Sequence, residues 1–182
     1  MKKSRGYAIM ELFIFVALIA IALYAFITIS AIISVLVMAS LSFIGYFKGR
    51  KLASAAEKLA SDLRYAQSQS MNEVLRHGAH FEVNPINTYY IYQTDGTISN
   101  PEPDPADPGK DLTVNLKDRF GVTIDDVELE GGQNSVEFNE FGVPFTGFNG
   151  RPVSSEGSIV LRINSSTKTV AISPDSGRVT IQ

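Results

Sequence analysis

Carboxylates, two histidines and a few cations carry most of the chemistry available to this 182-residue chain, which has no cysteine. Thiolate metal sites and disulfides are therefore excluded. The most unusual of these groups is Glu11. From Leu12 to Phe47 there is no charged residue and no proline, and no glycine before Gly45. A carboxylate in an apolar segment costs several kcal/mol unless it is neutralised, so Glu11 reads as functional. Five positions before it stands Gly6, and before that the basic residues Lys2, Lys3 and Arg5. His77 and His80 lie three apart, but a pair without a third ligand seldom holds a metal, and no metal is assigned. Glu102, Asp104 and Asp107 sit among prolines whose spacing matches no ion-binding loop. Asp125 and Asp126 would alternate faces of a strand, which suits a polar edge better than a catalytic dyad. No nucleophile elbow, phosphate loop or His-Glu-x-x-His pattern occurs. The chain reads as a non-enzyme without a cofactor.

The element that carries Glu11 is the apolar run, about 36 residues against the ~20 a helix needs to cross a bilayer. As a helix it would be about 54 Å long. The basic head places the amino terminus in the cytoplasm and the following domain outside. A cleaved secretory signal would have an apolar region of only about 7–15 residues. A plain signal anchor explains the length but leaves Glu11 without a role. A cut after Gly6 supplies one, because Tyr7 would become a new amino terminus beside the acid. A hairpin of two spans is a rival reading, but no turn signal stands at Ile29-Ser30-Ala31.

Gly6-Tyr7-Ala8-Ile9-Met10-Glu11 resembles the type III signal of type IV pilins and type II secretion pseudopilins. The resemblance implies cleavage between Gly6 and Tyr7 by the prepilin peptidase, N-methylation of Tyr7, and a role for Glu11 in pairing with a neighbouring subunit's terminal amine during filament assembly. It further implies partner pilins or pseudopilins, membrane lipid before assembly, and a single-pass protein of the bacterial inner membrane. Two departures stand out. Thr28 occupies the place where many members have proline, and the apolar run is longer than theirs. Ala17–Ala25 resembles Ala31–Ala39 at a shift of 14 residues, close to four helical turns, as a duplication would leave it.

Beyond Phe47 the pattern becomes amphipathic. Leu52, Ala56, Leu59, Leu63 and Ala66 mark one helical face, and Lys58 and Asp62 stand at i, i+4 on another. This face is expected to pack on the chain's own domain, with the helix reaching Met71 or Asn72. The run Lys51–Ser68 resembles the corresponding helix of the GspH/FimT branch. From Gly78 the period becomes alternating. Strands are expected over 79–83, 89–93, 112–116, 122–129, 135–139, 158–163, 169–173 and 178–181. The stretch 99–109, with four prolines and three acids, is expected to be a solvated surface loop that joins no central sheet. The closing segments Phe138–Pro144, Gly157–Leu161 and Val170–Val179 resemble the last strands of GspH/FimT proteins.

The resulting architecture is α+β: a long N-terminal helix, transmembrane in one half and amphipathic in the other, packed on a small antiparallel β-sandwich head. Its parts are a leader (1–6), a membrane and filament-core helix (7–47), an amphipathic helix (48–73) and a β-rich periplasmic or extracellular head (74–182). From His77 onward seven Lys/Arg face fifteen Asp/Glu, a net of −8. Such a surface repels nucleic acid. Some FimT-like minor pilins serve DNA uptake through a Gly-Arg-x-Arg motif. Here Gly177-Arg178-Val179-Thr180 keeps only the first arginine, so Arg178 is the one candidate DNA contact, and a weak one. Three functions remain open: a filament subunit of a secretion or pilus system, a DNA-binding minor pilin, and a signal-anchored domain outside any filament.

Overall fold

The computed structural model describes residues 3–96, 99–147 and 150–182, with side chains at 10–40 and from 45 onward. It comprises two compact units, Met1–Phe47 and Lys48–Gln182. Helix α1 (Lys3–Asn72) begins in the first and ends in the second. With no proline to remove a hydrogen bond, the helix runs unbroken through Ile29–Ala31, so the two-span hairpin is not adopted. Its hydroxyls are satisfied locally. Thr28 Oγ1 donates to Tyr24 O at 3.1 Å and Ala25 O at 2.9 Å, and Ser30, Ser34 and Ser40 likewise reach carbonyls three or four residues back. Such back-bonding lets polar residues sit on an apolar helix without an exposed donor. Large apolar side chains from Met10 to Met38 are exposed within this chain. By length and composition the stretch can cross a membrane.

In the second unit, Leu52, Ala55, Ala56, Leu59, Ala60, Leu63 and Ala66 of α1 are buried. The expected stripe is therefore the packed face. It shares one core with two antiparallel sheets. The first sheet is built from β1 (Arg76–Glu82), β2 (Thr88–Thr94), β3 (Ser99–Pro101), β6 (Thr113–Asn115), β8 (Ser135–Phe138) and β9 (Pro144–Thr146), in the order β3-β2-β1-β8-β9 with β6 also on β2. The second runs β12-β11-β10-β7, from β7 (Thr123–Glu128), β10 (Gly157–Ile163), β11 (Ser166–Ile172) and β12 (Val179–Ile181). Phe81, Tyr89, Ile91 and Phe138 come to the core from the first sheet, and Ile124, Ile159, Leu161 and Ile172 from the second. This is the expected α+β fold.

Three local expectations fail for identifiable reasons. Leu116 does not end a strand but opens helix α2 (Leu116–Phe120), because Asn115 Oδ1 caps Asp118 N at 2.9 Å and left-handed Gly121 closes it. The proline-rich stretch is not a free loop. Ser99–Pro101 pairs with β2, and β4 (Pro103–Asp104) with β5 (Asp107–Asp111) forms a small hairpin. Proline is tolerated there because β3 is an edge strand and needs no second row of donors. Asp125 and Asp126 do not alternate. A register shift at Val160/Leu161 leaves Asp125 without a Cα partner in the ladder, and both acids are exposed.

The far end of α1 is clasped by two turns distant in sequence. Gln67 Nε2 donates to Gly142 O at 2.8 Å and to Ser176 O at 3.0 Å. Gly177 is left-handed (φ +62°), and a Cβ there would stand 2.2 Å from Gly142 O. Gly177→Ala is therefore expected to lose more than about 2 kcal/mol of stability, from left-handed strain plus the clash. Gly121→Ala, left-handed but in open space, should lose about 1 kcal/mol. Urea melts of the full chain in one detergent check the ranking.

Candidate functional site

The amino-terminal constellation lies on α1. Lys2 lies outside the described residues, as do the side chains of Lys3, Arg5 and Tyr7. The backbone of Gly6 and Tyr7 is helical. Glycine in a helix interior costs roughly 1 kcal/mol relative to alanine, so Gly6 is the least favourable residue of that turn. Glu11 is exposed, and among the described residues no hydrogen bond or ion pair engages it. Any neutralising partner must therefore come from side chains outside the described residues or from another molecule.

Arg178 precedes β12 and is exposed. Its carbonyl accepts from Ser173 N at 3.0 Å, which closes the last turn. Its side chain lines an open groove of about 630 Å³ together with Arg64, Gln67, Ser176, Val179, Thr180 and Ile181. Thr180 stands where a second motif arginine would be, yet the fold brings Arg64 into the same groove. Arg64 Nη2 donates to Val179 O at 2.9 Å. Sequence reading missed Arg64, because only the distance along the helix from the packed stripe marks it and its partner lies 115 residues away.

His77 and His80 cannot share a ligand. An odd separation on a strand sends side chains to opposite faces. His77 is fully buried toward the helix, with Nε2 3.3 Å from Glu73 Oε2 and Nδ1 3.3 Å from Glu102 Oε2. His80 lies against the Tyr90 ring on the other face, 5.2 Å between centroids, and burial lowers its pKa. Among the described residues no group of three or more ligating side chains could hold a metal ion. Glu102 corrects the expectation of a solvated acidic loop: it is 7 % exposed, and the Tyr65 hydroxyl approaches its Oε1 at 3.3 Å.

Other buried acids are paired with phenols. Asp62 takes both Lys58 contacts, at 2.6 and 2.8 Å, and a 2.7 Å bond from the Tyr89 hydroxyl. Tyr92 donates to Glu137 Oε1 at 3.1 Å. Burial, reinforced by the adjacent carboxylate, raises both phenol pKa values well above the ordinary range.

No family model and no curated sequence matches the chain. Solved structures do. The type IV minor pilin FimU of Pseudomonas aeruginosa aligns with a TM-score of 0.50 at 15% identity, over 75% of this chain and 92% of that one. The minor pseudopilin EpsH from the type 2 secretion system of Vibrio cholerae aligns with a TM-score of 0.53 at 12% identity, over 72% and 96%. A second EpsH structure gives 0.50 at 12% identity, over 72% and 93%. The likeness is one of fold. A pilin-like α+β fold is thus reached independently of the Gly6–Glu11 pattern.

The buried phenols set an alkaline limit on stability. An unfolded tyrosine ionises near pH 10, whereas Tyr89 and Tyr92 keep their protons when folded. The unfolded state loses protons first, so this contribution is fully present below about pH 10 and is lost as the pH rises further. In an ultraviolet titration of the phenolate band, at least two of the seven tyrosines should ionise only together with loss of the folded circular-dichroism signal.

Proposed function

We propose that the chain is a non-enzymatic minor pseudopilin or minor pilin, a subunit of a type II secretion or type IV pilus filament. The observation that carries this is a coincidence of two unrelated features. A pilin-like fold follows a helix whose opening residues read Gly6-Tyr7 and Glu11 at the spacing that makes the acid the fifth residue of a trimmed chain. In this reading prepilin peptidase removes residues 1–6 on the cytoplasmic face of the inner membrane, and Tyr7 is N-methylated. Residues 7–47 cross the membrane once and later pack among sister helices, residues 48–73 pack on the head, and residues 74–182 face the periplasm or the exterior.

The energetics favour assembly over a solitary anchor. An ionised acid deep in a bilayer costs about 2.5–3.5 kcal/mol on insertion scales and more when isolated. A neighbour's terminal ammonium offsets this by forming a pair, and only filament packing delivers that ammonium to Glu11. Mass spectrometry of membrane-extracted protein should give a mature start at methylated Tyr7. An intact Met1 in cells with active prepilin peptidase would remove the processing step and with it the role of Glu11. Glu11→Leu is expected to leave membrane insertion intact and reduce incorporation into sheared filaments at least tenfold. Full incorporation would remove the assembly role of Glu11, and absence of the unaltered chain from sheared filaments would favour a signal-anchored domain outside any filament.

DNA binding is retained as a second reading because Arg64 joins Arg178 in one groove. Two phosphate contacts correspond to a log–log salt slope of about −1.8 on duplex DNA. The detergent-solubilised chain would show such a slope, abolished by the Arg64→Ala, Arg178→Ala pair, if this groove served nucleic acid. The net −8 of the segment from His77 onward opposes it.

A further inference from the structure

The second sheet has an open edge beside α1. β12 ends the order β12-β11-β10-β7, and among the described residues no strand pairs on its far side. Its hydrogen-bond phase follows from its neighbours. Gln182 and Thr169 exchange both backbone bonds, at 2.9 and 3.2 Å, and Arg178 O accepts from Ser173 N at 3.0 Å. Alternation along an antiparallel ladder then turns the backbone of Arg178, Thr180 and Gln182 toward β11, and that of Val179 and Ile181 outward. Val179 O accepts from Arg64 Nη2 at 2.9 Å, as this phase requires. The N–H groups of Val179 and Ile181, about 6.8 Å apart on a strand, face outward with Ile181 O and meet no neighbouring strand.

Proteins blunt such edges with charges, prolines or bulges. At the other end of the same sheet β7 carries Asp125, Asp126, Glu128 and the register shift, and β3 in the first sheet contains Pro101. Val179-Thr180-Ile181 has none of these. It opens instead into the groove of about 630 Å³ lined also by Arg64, Gln67, Ser176 and Arg178. That lining holds two cations and no acid. Among the described residues neither arginine is in an ion pair. We propose that β12 receives an added strand from another polypeptide, an extended segment that pairs with Val179 and Ile181 and presents one carboxylate to Arg178 and Arg64. The main chain of the added strand supplies affinity and its acidic side chain supplies selection. The side chain opposite Thr180 lies on the face of Arg178 and within diagonal reach of it. A nucleic acid fits less well, because phosphates beyond the two arginines would face a segment of net −8 from His77 onward. Binding at this edge needs neither trimming after Gly6 nor filament assembly, so its test succeeds or fails independently of both.

The test uses the full chain, ¹⁵N-labelled in detergent micelles and titrated with the end-blocked peptide Thr-Val-Glu-Val-Thr. The amide signals of Val179 and Ile181 should shift in a saturable way, while those of β7 stay in place. Replacing the peptide glutamate by glutamine, or Arg178→Ala in the chain, should each weaken binding about fivefold, the loss of one cross-strand charge pair. N-methylation of the two peptide valines, which removes the backbone donors facing β12, should abolish the shifts. Absence of any shift at Val179 and Ile181 at millimolar peptide would overturn the proposal. Undiminished binding of the N-methylated peptide would overturn it by showing that the edge is not used, and undiminished binding of the glutamine peptide by showing that the arginines select nothing. A duplex oligonucleotide that shifts the same amides and displaces the peptide at a lower concentration would assign the groove to nucleic acid instead.

Discussion

The structure of the head depends on how closely α1 can lie against two sheets at once. Between Leu52 and Ala66 the buried face alternates leucine with alanine, and Ala55, Ala56, Ala60 and Ala66 have no exposed surface. Alanine brings no side-chain entropy cost and little bulk, so the backbone approaches the sheets while Leu59 and Leu63 fill the space between them. The large side chains of the core are accordingly on the strands, with Phe81, Tyr89, Phe138 and Ile159 supplying volume that the helix leaves open. A bulkier residue at one of these alanines would separate helix from sheet instead of filling a gap.

Periodicity made this helix legible. The spacing of Leu52, Ala56, Leu59, Leu63 and Ala66 identifies both the element and its buried side, and alternation identified most strands. What escaped was set by contacts remote in sequence or by edge position. Pro144 and Pro101 sit in strands because those strands are at sheet edges, which local composition does not reveal. Glu102 resembles its exposed neighbours Asp104 and Asp107 in type and setting, and only the fold places it under β2 beside His77. Helix α2 is a different case. Asn115, Gly121 and the interval between them spell a capped helix, and that signal was present in the sequence but outweighed by the β-rich character of Leu112-Thr-Val114.

The candidate site divides in the same way. The roles proposed for Gly6, Tyr7 and Glu11 rest on spacing along one element, and the fold adds only that this element is a helix. Arg64 became visible beside Arg178 only after the last strand was placed against α1. Thr28 shows the opposite relation. The absence of proline is plain in the sequence, and its local result is that the hydroxyl engages two backbone carbonyls where a ring would have removed a donor.

The clasp at Gln67 and Arg64 bears on the order in which the head is completed. Both side chains find their partners in residues 142, 176 and 179, so they must wait for most of the chain. Such long-range closure is slow relative to helix and hairpin formation. During synthesis the amphipathic helix emerges well before β10, β11 and β12, with its leucine and alanine face uncovered. That interval is the period of greatest exposure to aggregation, and it ends only when the last strand seals the helix into place.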